Sequence, residues 1–189
     1  MAIFKAIGPD ERIDQGDLFK GIYFPSIDSD VDAVVITPTC DFERGKAHFV
    51  KFIATVSLNF VFKIIADGLQ IDEAVFDSGT EISKRQCDNL IRDVKRNSNG
   101  DFLPRYYLIT EYPGIFPASY LDFQQVFVIP TLQVMEELLQ KRIARIDSPW
   151  REQIASRYSG YSMRVGTPDY SDDELRSLLT TSGLTLPTT

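Results

Sequence analysis

The chain has 189 residues, of which 43% are hydrophobic and 12% aromatic, and it carries a formal net charge of −7. This length suits one domain that buries a sizeable core, and the composition excludes a chain that is disordered throughout. The excess of acidic residues disfavours a nonspecific grip on nucleic acid, because that grip comes from Lys and Arg side chains that neutralise phosphates.

Membrane insertion and export are not expected from the sequence. No hydrophobic run approaches the roughly 20 residues that a membrane-spanning helix needs. Acidic residues interrupt the N-terminal segment where a signal peptide would continue its apolar stretch. We therefore expect a cytoplasmic protein with no membrane partner, in which Cys40 and Cys87 remain thiols.

The first half of the chain predicts β-strands. Residues 18–24 form a short aromatic-rich run, and the polar loop 26–32 leads into the apolar segment 33–37. Two further runs, 48–58 and 59–68, are rich in β-branched and aromatic residues, and the second closes on a Gly turn. Runs of this type between short polar turns favour antiparallel pairing over β-α-β units.

A helix interrupts the predicted strands. Ser78 and Glu81 fit a capping box, in which each side chain satisfies a backbone donor at a helix start. Apolar residues then recur at a four-residue spacing, which predicts an amphipathic helix at about 80–96 that ends at the turn NSNG. Cys87 lies beside its buried stripe, so we expect a small core residue there. Two more strands are predicted at 101–112 and 121–130.

Two or three helices are predicted for the C-terminal part. Residues 131–146 predict an amphipathic helix, and the pair Ser148 and Pro149 starts a second one. One face of this second helix carries Trp150, Ile154, Tyr158 and Tyr161. A further capping box at 171–174 predicts a last helix, and the polar end 184–189 is expected to fray.

Strands around one inserted helix, followed by C-terminal helices, indicate an α+β protein. The short strands predict a small, strongly bent antiparallel β-barrel of the SH3-like kind over residues 1–130. We expect the helices of residues 131–183 to pack on this barrel. Basic residues concentrate in 84–105 and 141–164, which predicts basic helix faces beside an acidic barrel or a surface for a partner.

The segments QGDLFKGIYFP, AVVITPTCDF and HFVKFIATV together resemble the strands of the MazF/PemK-type toxin barrel. Gly16 and Asp17 match the Gly-Asp pair that begins the first strand of that family, and Thr37 or Thr39 matches its hydroxyl residue. Those toxins cleave RNA with an arginine that precedes the apolar strand. Residues 31–33 hold that place here without an arginine, so a copied RNA-cleaving site lacks its main electrophilic stabiliser.

A second resemblance covers more of the chain. The early QGD, the strand that ends in Cys-Asp, the RYYL segment and the late SPWREQIASRY and RVGTP are similar to a set of bacterial proteins of unassigned function. This resemblance implies that Cys40, Asp41 and Arg151 belong to a recurring structural framework.

Cys40 and His48 are candidates for a catalytic pair, with Thr37 as a third candidate. A nucleophilic thiol needs a base, and His48 is the only histidine of the chain. A hairpin between them would bring the two residues close. The neighbouring acids Asp41 and Glu43 disfavour the thiolate, so the favoured interpretation is structural. We then expect Cys40 to be buried and to react slowly with thiol reagents.

The candidate binding residues are Asp17, Asp41, Trp150, Arg151 and Arg157. An aspartate at a strand end accepts backbone N–H groups from the following turn, here FERGK, and Asp41 is also predicted to pair with Arg151 or Arg157. Trp150 is predicted to cover the barrel core or to line a groove for a partner.

No metal or cofactor is expected. Two isolated cysteines and one histidine do not form a zinc set, and the alternating aspartates of the loop 26–32 lack the Gly and the distant Glu of a calcium loop. No glycine-rich phosphate-binding loop is visible.

These features favour a noncatalytic binding or adaptor module of a bacterial system, such as one encoded by a mobile element or used in defence. Its partner is expected to be another protein or a second copy of the chain. The alternative is a nucleic-acid-directed enzyme or a degenerate relative of the RNA-cleaving toxins. The missing arginine and the acidic barrel favour the first hypothesis, so we do not expect RNA to be a substrate.

Overall fold

A computed structural model describes residues 3–8, 10–163 and 171. Its strands are β1 (Phe4–Lys5), β2 (Asp17–Phe24), β3 (Ser29–Val35), β4 (Phe49–Ser57), β5 (Tyr106–Ile109), β6 (Ser119–Pro130) and β7 (Arg142–Ile146). Its α-helices are α1 (Thr39–Glu43), α2 (Leu58–Gly68), α3 (Val75–Ser78), α4 (Lys84–Asn99), α5 (Thr131–Gln133) and α6 (Trp150–Ser162). No helix within these residues is both long enough and apolar enough to span a bilayer.

The predicted α+β class is confirmed. The seven strands of the described residues form one antiparallel sheet in the order β1-β7-β2-β3-β4-β6-β5. This ladder is open, because no hydrogen-bonded pairing joins its edge strands β1 and β5 in the described part, so the sheet is not closed as a barrel. The two edges instead meet through aromatic rings, since Phe4 of β1 stacks on Tyr112 at 5.3 Å, just beyond β5.

The sheet buries both of its faces. Alternate residues of a strand point to opposite faces, and neighbouring residues of β2, β3 and β4 accordingly belong to two different core clusters. Leu18, Val34 and Ile53 face the side that α6 covers. Phe19, Ala33, Val35 and Phe52 face the other side, where Ile13 and Val134 complete the core. A third cluster joins α2 and α4 to Tyr106 and Tyr120.

The strand predicted at 59–68 is wrong, because these residues belong to helix α2. Ser57 caps this helix and accepts a hydrogen bond from the amide of Phe60 at 3.2 Å. Val61 and Ile65 are buried four residues apart, which is the helical rather than the strand period. A short apolar run of this kind satisfies both periods, so contacts elsewhere in the fold decided between them.

The inserted helix α4 begins later than the capping box at Ser78 predicted. Ser83 and Gln86 form the capping box that is observed. Ser78 ends the short helix α3 and hydrogen-bonds Thr80 instead. Cys87 is half-buried on α4. The predicted loop 26–32 is also shorter than expected, since β3 begins inside it.

The single helix predicted at 131–146 is wrong for its last five residues, which form a strand, and the turns before them are not one regular α-helix. After α5, a π-helical turn at Val134–Leu138 and a 3₁₀ turn at Leu139–Lys141 lead into β7. Strand β7 pairs with β1 and β2, so RIARI is an interior strand whose arginines bond to β2. Of the apolar residues that suggested a helical face, Ile143 and Ile146 lie on β7, where Ile143 is half-buried and Ile146 is buried.

Helix α6 follows Ser148 and Pro149 as predicted, but Pro149 itself occupies the N-cap position and no side chain caps the helix start, so the expected serine cap is not observed. Ile154 is buried, and Trp150, Tyr158 and Tyr161 pack half-buried against the same core cluster. This placement matches the interpretation that α6 covers one face of the sheet. The helix predicted from the capping box at 171–174 and the tail 184–189 lie outside the described residues.

Candidate functional site

The predicted binding residue Asp17 lies in a buried ion cluster. Arg145 donates hydrogen bonds to both of its carboxylate oxygens, and Arg142 donates to Oδ2 at 3.1 Å. The backbone amide of Asp14 donates to the same oxygen at 2.9 Å. Asp17 is fully buried, and a buried carboxylate is stable only with such partners. The cluster therefore joins β2 to β7.

Arg145 remains charged inside this cluster. Burial by itself lowers the pKa of its guanidinium, because a desolvated charge is costly. The hydrogen bond and the negative charge of Asp17, together with the charges of Asp14 and Glu11, more than offset this effect, so the pKa lies above its ordinary value. The cluster is thus an ion pair whose role is to hold the fold together.

Gly16 connects the ion cluster to the surface. Its φ is +88°, and a Cβ atom there would lie 2.7 Å from the carbonyl oxygen of Ile146 and 3.1 Å from Cβ of Arg151. Its amide donates to the carbonyl of Val35 at 2.9 Å. Only glycine fits this close approach at a positive φ. The close passage of Gly16 beside Ile146 and Arg151 places the preceding residue, Gln15, at the edge of a cleft.

The pairing predicted between Asp41 and an arginine of α6 is wrong. Arg151 points to Asp14, with 3.6 Å between Nη1 and Oδ2. Arg157 donates to the carbonyl oxygen of Asn97 at 3.0 Å and so caps the end of α4. Both arginines tie α6 to the rest of the domain, but through partners other than Asp41.

A cleft of about 480 Å³ lies between α6 and the connection from β3 to β4. We call it the main cleft. The sheet side contributes Gln15, Thr37, Asp41, Lys46, His48 and Lys51. Helix α6 contributes Ala155, Tyr158 and Ser159. The cleft thus brings together Thr37, Asp41 and His48, three of the residues that the sequence singled out, while Cys40 is not part of its lining.

Cys40 is exposed, which contradicts the prediction that it is buried. The turn after β3 forms the short helix α1, and the thiol lies on its outer side with Sγ 3.8 Å from Oδ1 of Asp41. Burial therefore no longer supports slow reaction with thiol reagents, and the neighbouring carboxylate of Asp41 is the remaining reason to expect it. The turn amides of Lys46 and Ala47 donate to the backbone carbonyl of Asp41, not to its side chain as expected.

Backbone and ring contacts organise the floor of the main cleft. The amide of Lys51 donates to Oγ1 of Thr37 at 2.7 Å, and Thr37 is 6% exposed. The ammonium of Lys51 lies 6.0 Å from the ring centroid of Tyr158, within the range of a cation–π contact. Phe123 packs edge-on against Tyr158 at 5.8 Å. The core thus positions the Tyr158 ring beside Lys51.

Most of the charged residues that line the main cleft are basic, although the whole chain carries a net negative charge. Lys46, His48 and Lys51 line it, and Asp41 is the one carboxylate among its described lining residues. None of these three basic side chains has a salt-bridge partner within the described ranges. The ammonium groups of Lys46 and Lys51, which are not neutralised by an internal ion pair, are suited to an anionic ligand.

The rim of the main cleft is apolar. Phe49 and Val128 lie beside the basic residues on neighbouring strands and are 58% and 56% exposed. Large apolar side chains this exposed next to a concave surface are typical of binding sites. A suitable ligand therefore combines a negative group with an apolar group.

Among the described residues, no group of three or more His, Cys, Asp and Glu side chains is arranged so that it could hold a metal ion. Lys46, Lys51 and Tyr158 line the main cleft, although the sequence pattern did not indicate them as site residues. The two lysines flank the only histidine, and this local concentration of bases in an acidic half was the available signal. Comparison of the chain with models of protein families and with curated proteins finds no match.

Proposed function

We propose that this protein is a noncatalytic binding module that holds an acidic segment of a partner protein in the main cleft. The observation that carries the proposal is the set of three basic residues, Lys46, His48 and Lys51, that line a cleft without internal ion pairs. Carboxylates of the partner would supply the missing counter-charges. Phe49 and Val128 would contact an apolar side chain beside them.

The arrangement gives little support to nucleophilic catalysis. A nucleophile needs a base within hydrogen-bonding reach and a group that orients the base. Cys40 is outside the cleft lining, and the Thr37 hydroxyl already accepts a hydrogen bond from Lys51. His48 has no hydrogen bond from its ring within the described residues that would orient it. Recognition by charge and shape needs none of these relationships.

The two lysines give the most direct test. We expect Lys46→Ala combined with Lys51→Ala to weaken binding of an acetylated Glu-Glu dipeptide amide by about tenfold or more, because it removes two counter-charges. Binding is followed by the NMR shifts of the His48 ring and of the cleft amides. The matched control, Lys20→Ala with Lys95→Ala, removes the same charge from exposed positions elsewhere.

The control variant should bind the dipeptide as tightly as the unaltered protein does. Added salt should weaken dipeptide binding by both of these proteins. Equal loss in both double variants would mean that overall charge, rather than the cleft, attracts the peptide. No shift at His48 or the cleft amides would reject the proposed function outright.

A nucleic-acid-directed enzyme remains the second candidate because Thr37 and His48 line the same cleft as two lysines. We infer that the sheet is a variant of the SH3-like barrel of the MazF/PemK-type toxins. The strand pairing of β2, β3 and β4 and the meeting of the sheet edges at Phe4 and Tyr112 support this inference. No arginine is among the described lining residues of the cleft, which disfavours stabilisation of a phosphorane-like transition state.

We expect no cleavage of RNA. Purified protein incubated with mixed RNA, with and without a chelator, should leave the RNA as intact as buffer does, because the described lining of the main cleft contains no arginine and no activated nucleophile. The products are resolved on a denaturing gel. Cleavage that disappears in His48→Ala would reverse the order of the two candidates.

A further inference from the structure

Strand β6 has an edge that no other described strand covers. It pairs with β4 along most of its length, but β5 pairs with it over only four positions, from Ser119 to Asp122. The segment 124–130 therefore extends past the end of β5. An unpaired strand edge presents a row of backbone donors and acceptors that another strand can bind.

The register identifies which backbone groups face outward. In an antiparallel pair, successive residues of a strand point their N–H and C=O groups alternately toward and away from the neighbour. The amide of Ile36 donates to the carbonyl of Lys51, so the backbone N–H and C=O groups of Lys51 point toward β3. Those of its neighbour Phe52 consequently point toward β6. Phe52 is opposite Phe127, and Lys51 is opposite Val128.

The backbone groups of Val126 and Val128 consequently point away from β4. The amide of Thr131 donates to the carbonyl of His48 at 3.0 Å, which gives the same alternation from the other end of β6. Outside the strand ladders, no hydrogen bond among the described residues uses the N–H or C=O groups of Val126 or Val128, and the register with β4 leaves these groups out of the β4–β6 ladder. Two donors and two acceptors, spaced as in a β-ladder, are thus available to a strand from outside.

A second cleft of about 700 Å³ follows this edge, and we call it the edge cleft. All five residues from 126 to 130 line it, together with the β2–β3 turn at Pro25 and Ser26 and with Leu138. Its charged lining residues are Glu137 and Lys141, and Lys141 donates to the carbonyl of Gly21. The edge cleft is therefore mainly apolar and has little net charge.

Val128 lines both clefts, so the two adjoin at this residue of β6. The basic residues Lys46, His48 and Lys51 line the main cleft, and Phe24 and Leu138 form an apolar wall of the edge cleft. A strand edge flanked by side-chain pockets, one of them basic, matches the known mode in which an extended peptide adds a strand to a sheet.

We propose that the ligand is an extended acidic peptide segment of a partner protein, which adds to the edge of β6 as an extra strand. Its backbone hydrogen-bonds Val126 and Val128. Its apolar or β-branched side chains lie in the edge cleft, and its carboxylates reach Lys46 and Lys51 in the main cleft. This inference rests on the proposed function and names the conformation and the class of the ligand.

The experiment measures hydrogen exchange of backbone amides by NMR in the full-length protein. The probe is an acetylated peptide of two glutamates followed by four residues of alternating valine and threonine. We expect the peptide to slow exchange at Val126 and Val128 by about tenfold or more, because amides in a ladder exchange only on opening. The Glu-Glu dipeptide alone should shift the NMR signals of the main cleft without slowing hydrogen exchange at these two amides.

Two changes remove the ladder while leaving the charges in place. Val128→Pro deletes an N–H that points away from β4, so the native ladder keeps its bonds, and Val128→Ala controls for the lost side chain. We expect Val128→Pro to bind the peptide about tenfold more weakly than Val128→Ala does. Should Val128→Pro fail to fold, a probe N-methylated at alternate residues serves the same purpose with the unaltered protein.

The outcomes separate this inference from the proposed function. If the peptide binds but neither protects Val126 and Val128 nor distinguishes the Pro and Ala variants, the strand-addition inference is wrong while the cleft proposal stands. If neither the dipeptide nor the longer peptide binds, both fail. Slow exchange of the two amides in the protein without peptide would also overturn the inference, because the edge of β6 is then already occupied. This holds whether the occupant is a second copy of the chain, which would make the protection depend on protein concentration, or another part of the same chain.

Discussion

Asp17→Ala is expected to lower the free energy of unfolding by about 3–5 kcal/mol, the usual cost of removing one partner from a buried ion pair. The variant leaves Arg145 buried without its bidentate acceptor, and Arg142 loses a partner at 3.1 Å. Arg145 is 5% exposed, so water does not readily replace the carboxylate. For a domain of ordinary stability this loss is a large share of the total.

Urea denaturation measures this change, with the slope checked for two-state behaviour. Asp30→Ala is the matched control, since Asp30 is an exposed aspartate on the neighbouring strand β3, and we expect it to change stability by less than about 0.5 kcal/mol. A loss below about 1 kcal/mol for Asp17→Ala would mean that the cluster contributes specificity of pairing rather than stability.

The ion cluster and the main cleft are linked through one short motif. Asp17 anchors β2 to β7, Gly16 passes close to Ile146, and Gln15 then emerges into the cleft lining. The amide of Gln15 donates to Oδ1 of Asp14 at 2.8 Å, which holds the residue on the cleft side. In the motif QGD, Asp17 therefore has a structural role, whereas Gln15 is part of the candidate site.

Strands with a clear alternation could be predicted from the sequence, but segments that satisfied two periods could not. Leu18 and Phe19 belong to opposite faces of β2, and the aromatic run that contains them predicted that strand correctly. The segment RIARI has apolar residues that also fit a helical face. It becomes β7 because its arginines bond to Asp17, which is 125 and 128 residues away in sequence.

The candidate site shows the same division between local and distant information. Thr37, Asp41 and His48 come from one stretch of chain, so the local pattern was sufficient to select them. The exposure of Cys40 depended on the turn forming helix α1, which the residues of the turn did not predict. Tyr158 belongs to the cleft only because α6 packs across the sheet, and no local signal contains that contact.

The last prediction concerns this packing of α6. Ile154 is 2% exposed in the core cluster, while Trp150 is half-buried at the start of the helix and packs against the same cluster. Ile154→Ala is expected to cost about 2–5 kcal/mol, the range for an emptied aliphatic core position. Trp150→Ala is expected to cost about 3 kcal/mol, at the low end of the aromatic range because part of the ring is already in water.

Thermal unfolding together with analytical ultracentrifugation distinguishes a core role of Trp150 from a role in a partner groove. Loss of packing lowers the melting temperature and leaves the monomer mass unchanged, and Met163→Ala, at an 82% exposed position beyond α6, should change neither. An unchanged melting temperature in Trp150→Ala, with lost self-association or lost partner binding, would reject the core assignment. Helix α6 forms one wall of the main cleft, so variants that destabilise it should also weaken binding of the Glu-Glu dipeptide, in proportion to the unfolded fraction of the protein. The lysine variants, by contrast, should weaken this binding while the protein stays fully folded.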